Sequence, residues 1–240
     1  MQKHDGGICM SDNIREDLKE NKKDYLYSTV KAGLSSIPLA GSVVGEFFSM
    51  IVSQPISKRR DEWLVRIKNE LEELQSKFDG FDINNLCNNE VFITVLMQAS
   101  QIAIKNHQEE KLIALKNAVL NSAVEISIDE NVQLMYINYI DELTPWHLKI
   151  LTFFKNPTEW FNENNKSIPS VYMGSPSQIL AEAFDELNGR REFYDLIIKE
   201  LYTKGLLNID SVHTMMTSSG VFASRTTDFG TQFIKYITKP

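Results

Sequence analysis

Four histidines, His4, His107, His147 and His213, carry the side chains best suited to ligate a metal or move a proton near neutral pH. No two of them stand four residues apart, the helical spacing of a zinc-binding pair. His4 and Cys9 could touch one ion together, but two ligands make no closed site. His147 falls in the opening turn of TPWHLKILTFF between Trp146 and Leu148, where a hydrogen-bonded structural histidine is expected. Gly174-Ser-Pro-Ser-Gln178 lacks the second glycine of a nucleophile elbow and precedes a helix instead of following a strand, so it reads as a cap. Gly41-Ser-Val-Val-Gly45 lacks the Lys-Ser/Thr of a phosphate-binding loop. The pairs Glu72-Glu73 and Glu109-Glu110 sit on charged helix faces. The expectation is a protein without catalytic residues, metal or organic cofactor.

One stretch stands apart by its lack of charge. Between Ala32 and Ser57 the only charged residue is Glu46, and Gly41 and Gly45 form a small-xxx-small pair that permits close helix approach. A spanning helix needs on the order of twenty uninterrupted apolar residues. Here Pro38 suits a first helical turn and Pro55 is expected to end the helix, which leaves about sixteen residues diluted by serines and Glu46. Two readings follow: a core helix of a buried hairpin, packed through Gly41, Gly45, Phe47 and Phe48 with Glu46 paired, or a sheltered membrane segment. Lys58, Arg59 and Arg60, just beyond it, are candidate contacts for Glu46 or for anionic lipid.

Composition narrows the class further. The chain has 240 residues, 42% hydrophobic and 24% charged, a balance that supports a sizeable core. With 25 basic against 32 acidic residues the net charge is −7, which disfavours a non-specific grip on nucleic acid or anionic membrane. The first residues, MQKHDGGICMSDN, hold no apolar run that would serve as a signal-peptide core, and only Cys9 and Cys87 could form a disulfide. A reducing, cytoplasmic setting is expected, with the inner-membrane surface as the alternative.

The elements that must position these residues are helical. Residues 1–24 read as a flexible lead-in. From 25 to 140 the pattern is a helical bundle. Trp63, Ile67, Leu71, Leu74 and Phe78 make one stripe, close enough to a heptad to allow self-association, and Gly80 and Asp82 close that helix. Asn88 or Asn89 then caps a helix with Val91, Phe92, Val95, Leu96, Ala99, Ile102 and Ala103 on its inner face; Leu112, Leu115, Val119 and Ala123 line the next, and Asp129 caps NVQLMYINYIDEL.

Residues 141–240 have another order. A helix opens at Thr144-Pro145 with Trp146, Ile150, Leu151 and Phe154 on one face; a long connection holds Pro157, Pro169 and Gly174; SPSQILAEAFDEL and REFYDLIIKELYTKGLL follow as helices, the last ended by Gly205. SVHTMMTSSGVFASRTTDFG reads as strand, Ser218–Gly220 turn and strand, and a closing helix carries Phe229, Phe233 and Ile237. This is the order of a winged helix. Its cations Arg190, Arg191, Lys199, Lys204 and Arg225 are the candidate DNA contacts, but Glu192, Asp195 and Glu200 interleave with them, and the stretch holds ten basic against twelve acidic residues. Packing or protein contact is therefore expected of this module ahead of DNA binding.

Three groups of segments carry a family resemblance: AGLSSIPLAGSVVGEFF with KRRDEW, LKNAVLNSA with IDELTPWHLKILTFF, and TTDFGTQFIKYI. Their order resembles the Abi-alpha type of bacterial abortive-infection proteins. The matching positions are Leu115, Asn117, Leu120 and Ala123, then Leu143, Thr144 and Pro145, then Thr227, Gly230 and Phe233. The chain departs from that pattern near Lys116, where an asparagine stands in place of a tryptophan-bearing helix start, and in the connection from Pro157 to Gly174. The resemblance implies an intracellular role in defence against phage and brings no catalytic residues with it. The combined expectation is a non-enzymatic interaction or sensor-effector protein with a protein partner. A membrane-perturbing effector using residues 32–57 and a DNA-binding regulator are the alternatives.

Overall fold

The computed structural model describes residues 42–124 and 128–240, with side chains from Ile56 onward. It begins with α1, a single helix over Ser42–Lys77. At 1.5 Å per residue, its 36 residues span about 54 Å. The expected stop at Pro55 does not occur. A proline withdraws one N–H and crowds the carbonyl four residues back, yet the turns on both sides keep their own bonds, and the second half is held by packing. The hairpin reading of residues 37–63 is thereby corrected: from Ser42 the chain runs straight on. Trp63, Ile67, Leu71 and Leu74 are buried as the spacing predicts, whereas Phe78 lies beyond the helix end and is exposed.

Gly80 takes φ +90, a conformation open to glycine and strained for other residues, and turns the chain into a short 3-10 helix, Ile83–Asn88, capped by Asp82. Asn89, the second of the two candidates, caps α2 (Glu90–Lys105) by accepting from the Phe92 amide. Then come α3 (Glu109–Ala123) and α4 (Glu130–Glu142), whose Asp129 cap accepts from the Asn131 amide. α1 packs on α2 and α3, and α4 covers the other side of the same pair. These four helices realise the expected bundle over the described residues.

α5 (Pro145–Lys155) runs through the second half, touching α6 (Pro157–Glu163), α8 (Arg191–Thr203) and α10 (Asp228–Tyr236). α6 was missed by sequence: Asn156 caps it, Pro157 opens it and Phe161 is buried beneath it, in a stretch read as loop. Phe153 packs edge-to-face with Phe154, Trp160, Phe161 and Phe184. α7 (Pro176–Ala183) starts at the Ser175 capping box, with the Gln178 side chain taking the Ser175 amide.

The expected wing is replaced by something else. β2 (Met216–Thr217) pairs antiparallel with β1 (Met173–Gly174), Met173 opposite Thr217, so its partner comes from the connection before α7. Ser218–Val221 forms one helical turn, α9, where a Ser-Ser-Gly hairpin turn was expected. The Arg225 guanidinium donates to the Gly220 carbonyl and holds that turn, and the following residues leave to bridge Leu207 with Thr226.

The two halves meet through α10. Tyr136 of α4 stacks at 5.0–5.6 Å with Phe229, Phe233 and Tyr236, and the Asn121 amide donates to the carbonyls of Tyr236 and Thr238, both at 2.7 Å. Asn117 donates to the Ile237 carbonyl at 2.9 Å. Two asparagines of α3 thus serve the carbonyls that α10 leaves unpaired at its C-terminus. Asn121→Ala is expected to cost about 2 kcal/mol through two lost bonds and stranded carbonyls, measured as a shift of the urea midpoint at unchanged slope. Faster amide exchange confined to α10 would accompany it.

Candidate functional site

A cluster of polar side chains lies at the corner where α4 turns into α5. The corner is sharp because Thr144 is extended (φ −81, ψ 164) and Pro145 fixes the first helical φ. The His147 amide donates to the Thr144 carbonyl at 3.0 Å, and the His147 ring takes the place that Glu or Gln holds in an ordinary capping box. The Thr144 N–H donates to Nδ1 of His147 at 3.2 Å, and the Thr144 hydroxyl lies 2.8 Å from the same nitrogen. A backbone amide can only donate, so Nδ1 is the acceptor and the ring proton sits on Nε2. That proton points at the Glu200 carboxylate of α8, 2.8 Å away.

Other ties hold the same corner. Lys111 of α3 is 5% exposed and donates to the Asp141 carbonyl at 2.6 Å, while Lys105 of α2 pairs with the Asp141 carboxylate at 3.0 Å. Lys204 pairs with Glu142 and lies 4.8 Å above the Tyr139 ring, whose hydroxyl donates to the Lys204 carbonyl. Burial holds the Lys111 ammonium below the usual lysine range, with the Asp141 charge opposing it. His147 is 5% exposed, and burial pulls its pKa down against the opposing pull of Glu200; Lys204 and Lys111 add to the depression. A cleft of about 450 Å³ opens beside the corner, walled by Glu142 and Leu143 on one side and by Leu196, Lys199, Glu200 and Thr203 of α8 on the other.

The structure brings few of the sequence candidates together. Gly41, His4 and Cys9 lie outside the described residues. Gly45, Glu46, Phe47 and Phe48 lie in the first turns of α1. Lys58 pairs with Glu62 one turn on, the Arg59 guanidinium donates to the Ile104 carbonyl, and Arg60 pairs with Asp61. Arg190 stacks over Phe193 at 4.1 Å, Arg191 pairs with Asp195, Lys204 with Glu142, and Arg225 serves Gly220. Lys199 alone of the five faces the cleft without an ion pair among the described residues. His213 pairs with Asp195 at 2.7 Å, and His107 is exposed in the α2–α3 joint. Among the described residues no group of three or more His, Cys, Asp or Glu could hold a metal. The acidic pairs bind cations: Glu72 with Lys68, Glu73 with Lys77 and Lys239, Glu109 with Arg66, and Glu110 with Lys149.

Sequence reasoning missed Lys111, Asp141, Asn121 and the bond from His147 to Glu200. Thr144-x-x-His147 is a capping-box spacing with an unusual last member, and that spacing was the signal available. The chain matches no protein-family model, no curated protein and no solved structure.

Proposed function

We propose that the chain is a non-enzymatic sensor-effector protein acting in the bacterial cytoplasm, similar in kind to abortive-infection components, with α1 as the element that meets a protein partner. The carrying observation is the continuity of α1: the apolar stretch from Ser42 to Gln54 is joined, without a hinge at Pro55, to the half that Trp63, Ile67, Leu71 and Leu74 fix to the body. A partner gripping that stretch would therefore load the α2–α3 packing directly. The role of the polar interior supports the same reading. Asn117, Asn121, His147 and Ser175 are engaged in caps and anchors, and the positions through which the sequence resembles the abortive-infection family do structural work: Asn117 caps α10, Thr144 and Pro145 open α5, and Thr227 caps α10 at its start.

The membrane alternative uses the same helix. Among the described residues no helix is long and apolar enough to cross a bilayer. For the C-terminal half, the order α5, α7, α8 and α10 supports a winged-helix-derived arrangement in which the wing is given over to internal pairing. Four of its five candidate cations are already engaged, which favours packing over DNA contact.

The experiment is expression at native level in a bacterial host challenged with a phage panel, beside the purified protein in liposome flotation and dye leakage. Restriction of at least one phage, with protein that neither floats nor releases dye, is expected. Dye release would move the function to the membrane, and saturable binding of genomic DNA fragments at moderate salt would move it to regulation. Failure to restrict any phage, with none of these activities, would sink the effector reading itself.

A further inference from the structure

We propose that His147 is a proton-operated pin: neutral, it bridges Thr144 and Glu200; protonated, it releases the Thr144 amide and frees the α4–α5 corner that walls the cleft. The inference follows from which atoms donate. Thr144 N–H points at Nδ1 at 3.2 Å, and an imidazolium carries a proton on that nitrogen, so two donors would face each other. The ring can keep Nε2–H on Glu200 in both states. Protonation therefore leaves the hold on α8 in place, as an ion pair, and breaks the side-chain half of the capping box that opens α5.

The charges around the ring come from every element that packs there. α3 contributes Lys111 and the residue that ends α8 is Lys204, both disfavouring the cation; Glu200 of α8 favours it. Asp141 and Glu142 at the end of α4 are already occupied, by Lys105 with Lys111 and by Lys204. The Thr144 hydroxyl, 2.8 Å from Nδ1, can accept from the new proton, but that contact gives the Thr144 N–H no acceptor in place of the one it loses. The balance is towards the neutral ring, and burial of a 5% exposed imidazole strengthens it.

The sign of the pH dependence follows. A histidine whose folded pKa lies below the ordinary value of about 6.5 binds fewer protons folded than unfolded. Its contribution to stability is complete above that value and is lost as the pH falls from it through the folded pKa. At the corner the loss is local: Leu143, 1% exposed, and Thr144 are the residues released.

The test uses the full chain and reads amide exchange at Thr144 between pH 8 and pH 5, corrected for intrinsic rates. Protection at Thr144 should fall about tenfold or more in the wild type and hold within about twofold in His147→Gln, which keeps an acceptor at the capping-box position and cannot titrate. Glu200→Gln should move the midpoint to lower pH by removing the charge that favours the imidazolium. Equal loss in His147→Gln, no loss in the wild type by pH 5, or an upward shift in Glu200→Gln would each overturn the proposal. The wild type also decides alone, should a variant fold badly. Ring-nitrogen shifts must report Nε2–H at pH 8, and protonation must coincide with the loss at Thr144; protonation without that loss overturns it.

Discussion

Trp63→Ala should lower the stability of the folded chain by about 3–5 kcal/mol, the range for emptying a buried large aromatic site. Trp63 is 4% exposed at the upper end of the stripe that fixes α1, and its Nε1–H donates to the Ser100 hydroxyl at 2.9 Å. Below it, Ile67, Leu71 and Leu74 continue the stripe, and the half-buried Lys116–Glu70 pair joins α1 to α3 at 2.6 Å. Burial pushes the Glu70 carboxyl up, but Lys116 and Lys239 outweigh it and keep the group below the usual carboxylate range. The lower half of α1 is thus doubly fixed, while above Trp63 the described side chains include the Arg59 contact to the Ile104 carbonyl and local ion pairs. Loss of the indole should therefore loosen residues 56–67 more than residues 70–77 in hydrogen exchange. Trp63→Phe keeps most of the packing and should cost about 1 kcal/mol for the missing donor. If alanine costs under about 1 kcal/mol in urea unfolding, the stripe is not what holds α1, and the coupling on which the proposed function rests disappears with it.

Much of this arrangement could be read from spacing alone, and the exceptions have physical causes. The buried stripe of α1, the inner face of α2 and the caps at Asn89, Asp129, Thr144 and Ser175 follow from periodicity and local hydrogen-bonding chemistry, which act within a few residues. Three things depend on distant partners and were invisible. Pro55 reads locally as a stop, but a proline does not end a helix whose later turns are pinned by packing. Met216–Thr217 reads as half of a hairpin, but its pairing partner lies more than forty residues back at Met173–Gly174. α6 reads as loop because four of its seven residues are polar; only the cavity filled by Phe161 against Phe153 makes it a helix worth forming. The corner followed the same rule. His147 is legible as a hydrogen-bonded histidine, whereas Glu200, 53 positions on, reads as one charge among many on a helix surface.

Gly230→Ala should be destabilising by about 3 kcal/mol, the upper end of the usual cost of overpacking, although in an exposed helix the same change stabilises by up to about 1 kcal/mol. Gly230 lies in the first turn of α10, where the Thr227 hydroxyl accepts its amide at 2.8 Å and donates to the Gly205 carbonyl at 2.6 Å. A methyl group there would stand 2.1 Å from the Leu206 carbonyl oxygen and 2.9 Å from its carbon. These are backbone atoms, so no rotamer change relieves the clash. The helix cannot slide away either. Its far end is held by Asn117 and Asn121, and the turn it presses on is fixed by Gly205 at φ +72. Either the Thr227 cap or the asparagine anchors must give, and exchange should show which: a cap failure exposes the amides near Gly230, an anchor failure those near Tyr236. Gly220→Ala is the matched control. Its added methyl would meet the Met216 Cβ at 3.0 Å, which a shift of a few tenths of an ångström relieves, and should cost about 1 kcal/mol, well below the Gly230 value. Equal costs for the two alanines would mean that α10 is not seated on the Leu206 carbonyl, and the close approach that makes glycine necessary at 230 would have to be abandoned.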